Sequence, residues 1–208
     1  MKTVAVLDYG SGNIRSAVRA LEYVGLDVVL TADRQTIENV AGLVVPGVGA
    51  FASVMAQLEA VDAPSTIDRR LIAGRPVLGI CVGLQVMFEY STEHAGAEGL
   101  GQWPGRVVQL NAPTIPHMGW SPIRVADGST LFSGLEDQRF YFVHSYAVTA
   151  DFTKQMDGPL HKPLVSWAHH GEDFVAAVEN GPLSATQFHP EKSGDAGLAL
   201  LENWAHTL

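Results

Sequence analysis

The chain reads as an α/β protein, a doubly wound and mostly parallel sheet flanked by helices, and three observations carry that reading. Short apolar, β-branched runs recur through the first half, helical patterns separate most of them, and the runs end in turn residues. After Trp103 the texture changes to short β-rich pieces with many Gly and Pro, which predicts additional mixed or antiparallel strands in the second half.

Thr3-Val4-Ala5-Val6-Leu7 predicts a first buried strand, closed by the turn residues from Asp8 to Asn13. Ile14, Ala17, Val18 and Leu21 then share one helical face, with Gly25 as the stop. Leu26 to Leu30 predicts a second strand. Gly42 to Val45 predicts a third, ending at Pro46-Gly47-Val48-Gly49, and Pro76 to Ile80 a fourth that runs straight into Cys81. In the second half, Arg139 to Val143, Leu164 to Ala168 and Leu183 to Phe188 read as strands, and Gly197 to Trp204 as a closing helix. No repeat or long linker interrupts residues 1–208, so one domain of flavodoxin-like architecture is expected, with ligands beyond the carboxyl ends of its strands.

Composition narrows the function. Against 22 Asp+Glu stand 13 Lys+Arg, and a net charge of −9 with no basic run argues against nucleic acid. Asp8 cuts the N-terminal apolar run too short for a signal-peptide core or a membrane span, which predicts a cytoplasmic protein. A single cysteine excludes an intrachain disulfide and a Cys-based zinc cluster, and leaves reduced thiol chemistry open.

That cysteine sits in Gly79-Ile80-Cys81-Val82-Gly83-Leu84-Gln85, a strand, sharp turn and helix with glycine two positions to either side. The pattern is a nucleophile elbow, which exposes the nucleophile in a strained turn. A helix N-terminus there favours a thiolate, and the Val82 N–H points where an oxyanion would form. A lone Cys is by default a small buried hydrophobe; the Gly-flanked context outweighs that reading. Thr186-Gln187-Phe188-His189-Pro190-Glu191 supplies a histidine at a strand end and a carboxylate two residues later, suited to the roles of base and orienter. His-x-Glu alone is weak, and spacing cannot show that residues 81 and 189 meet.

The remaining candidates have plainer readings. Gly10-Ser11-Gly12-Asn13-Ile14-Arg15 lacks the third Gly of a dinucleotide fingerprint and reads as a tight turn. His144, His161, His169 and His170 lack a metal-binding spacing and read as solvated or hydrogen-bonded side chains, so no metal and no cofactor is expected.

Taken together, Gly-Ile-Cys-Val-Gly-Leu-Gln and Gln-Phe-His-Pro-Glu-Lys-Ser resemble the class I, triad-type glutamine amidotransferases, and the resemblance covers essentially the whole chain. It implies a Cys81–His189–Glu191 triad that releases ammonia from glutamine. It also implies an oxyanion and substrate site drawn from Gly47, Val48, Gly49, Val82 and Gln85, with His144, Ser145 and Tyr146. Three segments, Asp8 to Asn13, Pro116-His117-Met118-Gly119-Trp120 and Tyr141 to Tyr146, resemble signatures of the branch that serves imidazole glycerol phosphate synthase. That branch implies a heterodimer with a (β/α)8 barrel cyclase, and makes Tyr9, Gly10, Asn13, Met118 and Trp120 candidates for the interface. Anthranilate- or guanylate-type amidotransferases, a stand-alone cysteine hydrolase and a binding module with an inert cysteine are the alternatives. Two departures stand out: Ser121 replaces the family's usual Asn, and residues 151–171 are longer than usual, which suggests an added surface loop.

Overall fold

Strand β1 (Thr3–Leu7) is buried along nearly its whole length, and helix α1 (Ile14–Tyr23) turns Ala17, Ala20 and Leu21 inward. The computed structural model describes residues 1–10, 14–156 and 162–208. Gly25 ends α1 as its sequence position predicts. At φ +84° its own N–H reaches Glu22 O and the following Leu26 N–H reaches Leu21 O, the paired bonds of a Schellman cap.

The alternation continues through β2 (Asp27–Thr31), α2 (Arg34–Asn39), β3 (Gly42–Gly47), α3 (Phe51–Ala60), α4 (Ala63–Ile72) and β4 (Val77–Cys81). Helix α2 is only six residues long and is held at its start by Asp33, whose Oδ2 accepts the Thr36 N–H at 2.8 Å. After β4 come the four-residue α5 (Val82–Gln85), β5 (Phe88–Ser91), β6 (Ala97–Glu98), β7 (Trp103–Gln109), β8 (His117–Pro122), β9 (Arg139–His144) and β10 (Tyr146–Ala147). The chain closes with β11 (Leu164–His170), β12 (Glu172–Asn180), β13 (Leu183–Thr186) and α6 (Gly194–His206).

The main sheet has the order β11-β12-β13-β4-β3-β1-β2. Strands β13, β4, β3, β1 and β2 run parallel, and β11 and β12 add an antiparallel edge. Every residue of β3 and β4 is buried, as a parallel sheet covered on both faces requires. The expected extra strands form a second sheet, β10-β7-β5-β6, and a β8-β9 hairpin whose register sets His117 opposite His144. This is the α/β doubly wound class that the apolar runs predict.

Of the long segment 151–171, residues 157–161 lie outside the described residues, and the two flanking ends are built into the fold. Phe152 begins a 3-10 turn and is buried edge-on to Phe88, and β11 pairs with β12 along the sheet edge. Burying Phe152 and pairing β11 satisfy apolar surface and backbone groups that a loop would leave to water.

Candidate active site

Gly47, Cys81 and His189 lie at or just past the carboxyl ends of β3, β4 and β13, three adjacent parallel strands. The packing at this edge explains the glycines. A Cβ on Gly83 would stand 2.0 Å from Val45 O, one on Gly79 2.5 Å from Gly83 O, and one on Gly47 2.5 Å from Gly83 N. No side chain fits between β3, β4 and α5, so α5 begins directly against the sheet.

That closeness forces the turn at Cys81, whose φ of 57° and ψ of −112° are outside the regions open to ordinary L-residues. Such a conformation costs on the order of 1–3 kcal/mol and clusters at functional sites. It sets the thiol at the wall of a cavity of about 340 Å³, lined also by Val48, Gly49, Val82, Gln85, His144, Ser145, Tyr146 and His189. Gly47 stays behind this wall, paired with Cys81 across the β3–β4 register.

His189 is held from three directions. Its N–H donates to Tyr141 O at 2.9 Å, and its carbonyl accepts the Ser193 hydroxyl at 2.7 Å. Its Nδ1 lies 2.7 Å from Glu191 Oε1, so Nδ1–H donates there and Nε2 is left for the thiol. Burial works against a charge on this ring, but its hydrogen bonds to Cys81 and Glu191 prevail and raise the His189 pKa to about 9.

On the opposite wall His144 belongs to a buried chain of donors and acceptors. Its Nδ1 lies 2.9 Å from Tyr146 O, its Nε2 3.1 Å from His117 Nδ1, and His117 Nε2 lies 2.9 Å from Ser121 Oγ. A carbonyl can only accept, so His144 Nδ1 carries a proton; with burial keeping both rings neutral, its Nε2 accepts from His117 Nδ1–H, and Ser121 donates its hydroxyl to His117. Burial lowers the His144 pKa to about 3, against the opposing pull of the Tyr146 carbonyl, and burial with the neighbouring His170 lowers that of His117 to about 4. Ser121 spends its hydroxyl inside this chain of hydrogen bonds.

The interface candidates divide. Met118 and Trp120 are exposed on β8, alternating with the inward His117, and Gly10 is exposed in its turn. Tyr9 is instead 5% exposed and donates its hydroxyl to Pro46 O, so its side chain braces the start of the Gly47–Gly49 loop. Asn13 and His161 lie outside the described residues.

Sequence reasoning missed Glu93, Lys192 and Gln187. Glu93 and Lys192 line the cavity, and Glu93 Oε2 accepts the Phe51 N–H at the start of α3 at 2.7 Å. Glu93 follows a short strand with no motif around it, so nothing marked it. Lys192 and Gln187 stood within the His189 motif and were legible there. Among the described residues no helix is long and apolar enough to cross a membrane.

The family model of the class I glutamine amidotransferases matches residues 5–208. The chain is 60% identical to the imidazole glycerol phosphate synthase subunit HisH of Leifsonia xyli over 100% of its own length and 99% of the relative's. It is 57% identical to the same subunit of Corynebacterium diphtheriae over 100% of both chains, and 56% identical to that of Renibacterium salmoninarum over 100% of its own length and 95% of the relative's. A crystal structure of a glutamine amidotransferase superposes with a TM-score of 0.71 at 20% identity, over 97% of this chain and 98% of that one. A chain of the PurLQS structure from Thermotoga maritima superposes at 0.72 and 18% identity, over 100% and 99%, and at such identities the likeness speaks for the fold alone. With Cys81 strained at the cavity wall beside a buried His189–Glu191 pair, the chain belongs to the class I glutamine amidotransferases and, within them, to the HisH subunits of imidazole glycerol phosphate synthase.

Proposed function

We propose that the chain works as one cytoplasmic domain that hydrolyses glutamine with a Cys81–His189–Glu191 triad. Ammonia passes to a (β/α)8 barrel cyclase that makes imidazole glycerol phosphate and an aminoimidazole carboxamide ribotide in histidine biosynthesis. The observation that carries the catalytic part is the buried His189, with Nδ1 2.7 Å from Glu191 Oε1, sharing one cavity with the strained Cys81.

The thiolate of Cys81 attacks the side-chain amide carbon of glutamine, and the carbonyl oxygen takes the electron pair. The Val82 N–H and an N–H of the Gly47–Gly49 loop hold that oxyanion. As the C–N bond breaks, His189 gives its proton to the departing nitrogen, which leaves as ammonia. A water then attacks the thioester with His189 as base, releasing glutamate and the thiol. Glu191 keeps Nδ1 protonated throughout and so keeps Nε2 on the reacting side.

Glu93 and Lys192 bring one negative and one positive group to the cavity lining, matching the ammonium and carboxylate of an amino acid. Gln85, whose Nε2 donates to Tyr146 O at 2.9 Å, keeps its Oε1 as an acceptor for substrate, beside Ser145 and Tyr146. Gly10, Met118 and Trp120 offer the cyclase an exposed surface.

Glutaminase assays on the assembled synthase test the roles. His189→Ala is expected to abolish turnover, while Glu191→Gln retains roughly ten to a hundred times more activity than His189→Ala, since packing and the remaining amide still orient the ring in part. Equal losses would give the carboxylate a more direct part than orientation.

A further inference from the structure

The proton order on the substrate side of the cavity determines which end of a buried amide faces the nucleophile. Gln85 Nε2 lies 2.9 Å from Tyr146 O and 3.0 Å from Gln187 Oε1. Both of its protons are thereby used, one on each oxygen, because the Tyr146 carbonyl can only accept. Gln187 must then turn its oxygen to Gln85 and its NH2 the other way, where Nε2 lies 3.7 Å from Cys81 Sγ. Gln187 is fully buried, so no water competes for that N–H. The Tyr146 carbonyl is itself pinned from behind by His144 Nδ1–H, which takes its proton position from His117 and Ser121. A donor chain thus runs from Ser121 to Tyr146 O, and Gln85 continues the order to the sulfur.

We propose that Gln187 is a further catalytic residue, whose amide N–H donates to the Cys81 sulfur and holds the thiolate in place. The inference rests on Cys81 being the nucleophile. It assigns the negative sulfur two donors, an imidazolium and a neutral amide. The amide remains when His189 has given its proton to the departing ammonia, so the sulfur keeps one partner through both halves of the reaction.

Cys81 is the chain's only cysteine, so its alkylation can be followed by mass alone. The experiment treats the assembled synthase with iodoacetamide at neutral pH and compares wild type, Gln187→Met and Gln187→Glu, following both alkylation and glutamine hydrolysis. Gln187→Met removes the donor, and Gln187→Glu keeps the acceptor for Gln85 while setting oxygen against the sulfur. Both are expected to lower kcat and to shift the alkylation rate roughly fivefold to tenfold, the worth of one hydrogen bond, with KM changed less. Alkylation of both variants at the wild-type rate would overturn the inference. Wild-type enzyme that is alkylated at Cys81 without losing glutaminase activity would overturn the triad reading instead. Side-chain amide NMR of the unmodified protein decides the matter if the variants fold poorly: Cys81→Ala should move a Gln187 Nε2 proton more than those of Gln85. Unmoved Gln187 amide resonances would sink the proposal.

Discussion

Replacing Cys81 by Ala is expected to remove glutamine-dependent synthesis by the complex, a loss of roughly a millionfold in the glutaminase step, while ammonia-dependent synthesis continues at the wild-type rate. The nucleophile serves only to make ammonia, so supplying ammonia bypasses it. Parallel loss of both activities in a correctly assembled complex would make Cys81 structural. The same site tests the strain. Ala keeps a Cβ at φ 57°, whereas Gly occupies that region freely, so Cys81→Gly should be more stable than Cys81→Ala by about 1 kcal/mol, strain relief less the entropy of glycine. Chemical denaturation of the two variants measures the difference. Gly no more stable than Ala would mean that the elbow stores nothing.

Why the elbow was legible and its surroundings less so follows from where each signal resides. β3 and β4 are buried on both faces, so their residues are apolar without interruption and stand out from any window. The elbow glycines are imposed by contacts under 3 Å to neighbouring backbone, which leaves the sequence no choice. The second sheet is different: β6 and β10 have two residues each, and β7 carries Pro104 and Gly105, so neither length nor alternation marks them.

Side chains that act across the fold were the least visible. Tyr9 follows a strand in a turn, and only the position of β3 beside β1 shows that its hydroxyl faces Pro46 rather than solvent. Glu93 reaches the cavity because its carboxylate docks on the start of α3, a contact between distant segments. The His117–His144 pair is created by the β8–β9 register, which hydrophobic patterning does not specify.

The isolated chain is expected to turn glutamine over slowly, and docking of the cyclase with its own substrate bound should raise the rate by roughly a hundredfold to a thousandfold, the worth of one oxyanion donor. The cause lies in Pro46-Gly47-Val48-Gly49, beside the thiol. Tyr9 holds the Pro46 carbonyl, and Gly47 is wedged against Gly83, so the first half of this loop has no room to turn. Gly49 is the opposite case. It sits at φ +96°, and a Cβ there would meet nothing within 4 Å, so its glycine serves conformational freedom rather than packing. On the proposed mechanism the peptide between Val48 and Gly49 is then the one expected to rotate, and its orientation would decide whether a carbonyl or an N–H faces the tetrahedral intermediate. A partner that binds the N–H orientation more tightly shifts the population by that difference in affinity, and glutamine is then spent only when the ammonia has an acceptor. Turnover is measured for the chain alone, with the cyclase, and with cyclase plus its substrate. Equal rates in all three would remove the switch and leave the loop a fixed wall. With a rising series, Gly49→Ala separates the causes further: it strains the residue at positive φ, so both the resting rate and the activation ratio should change, whereas a coupling routed elsewhere would leave the ratio intact.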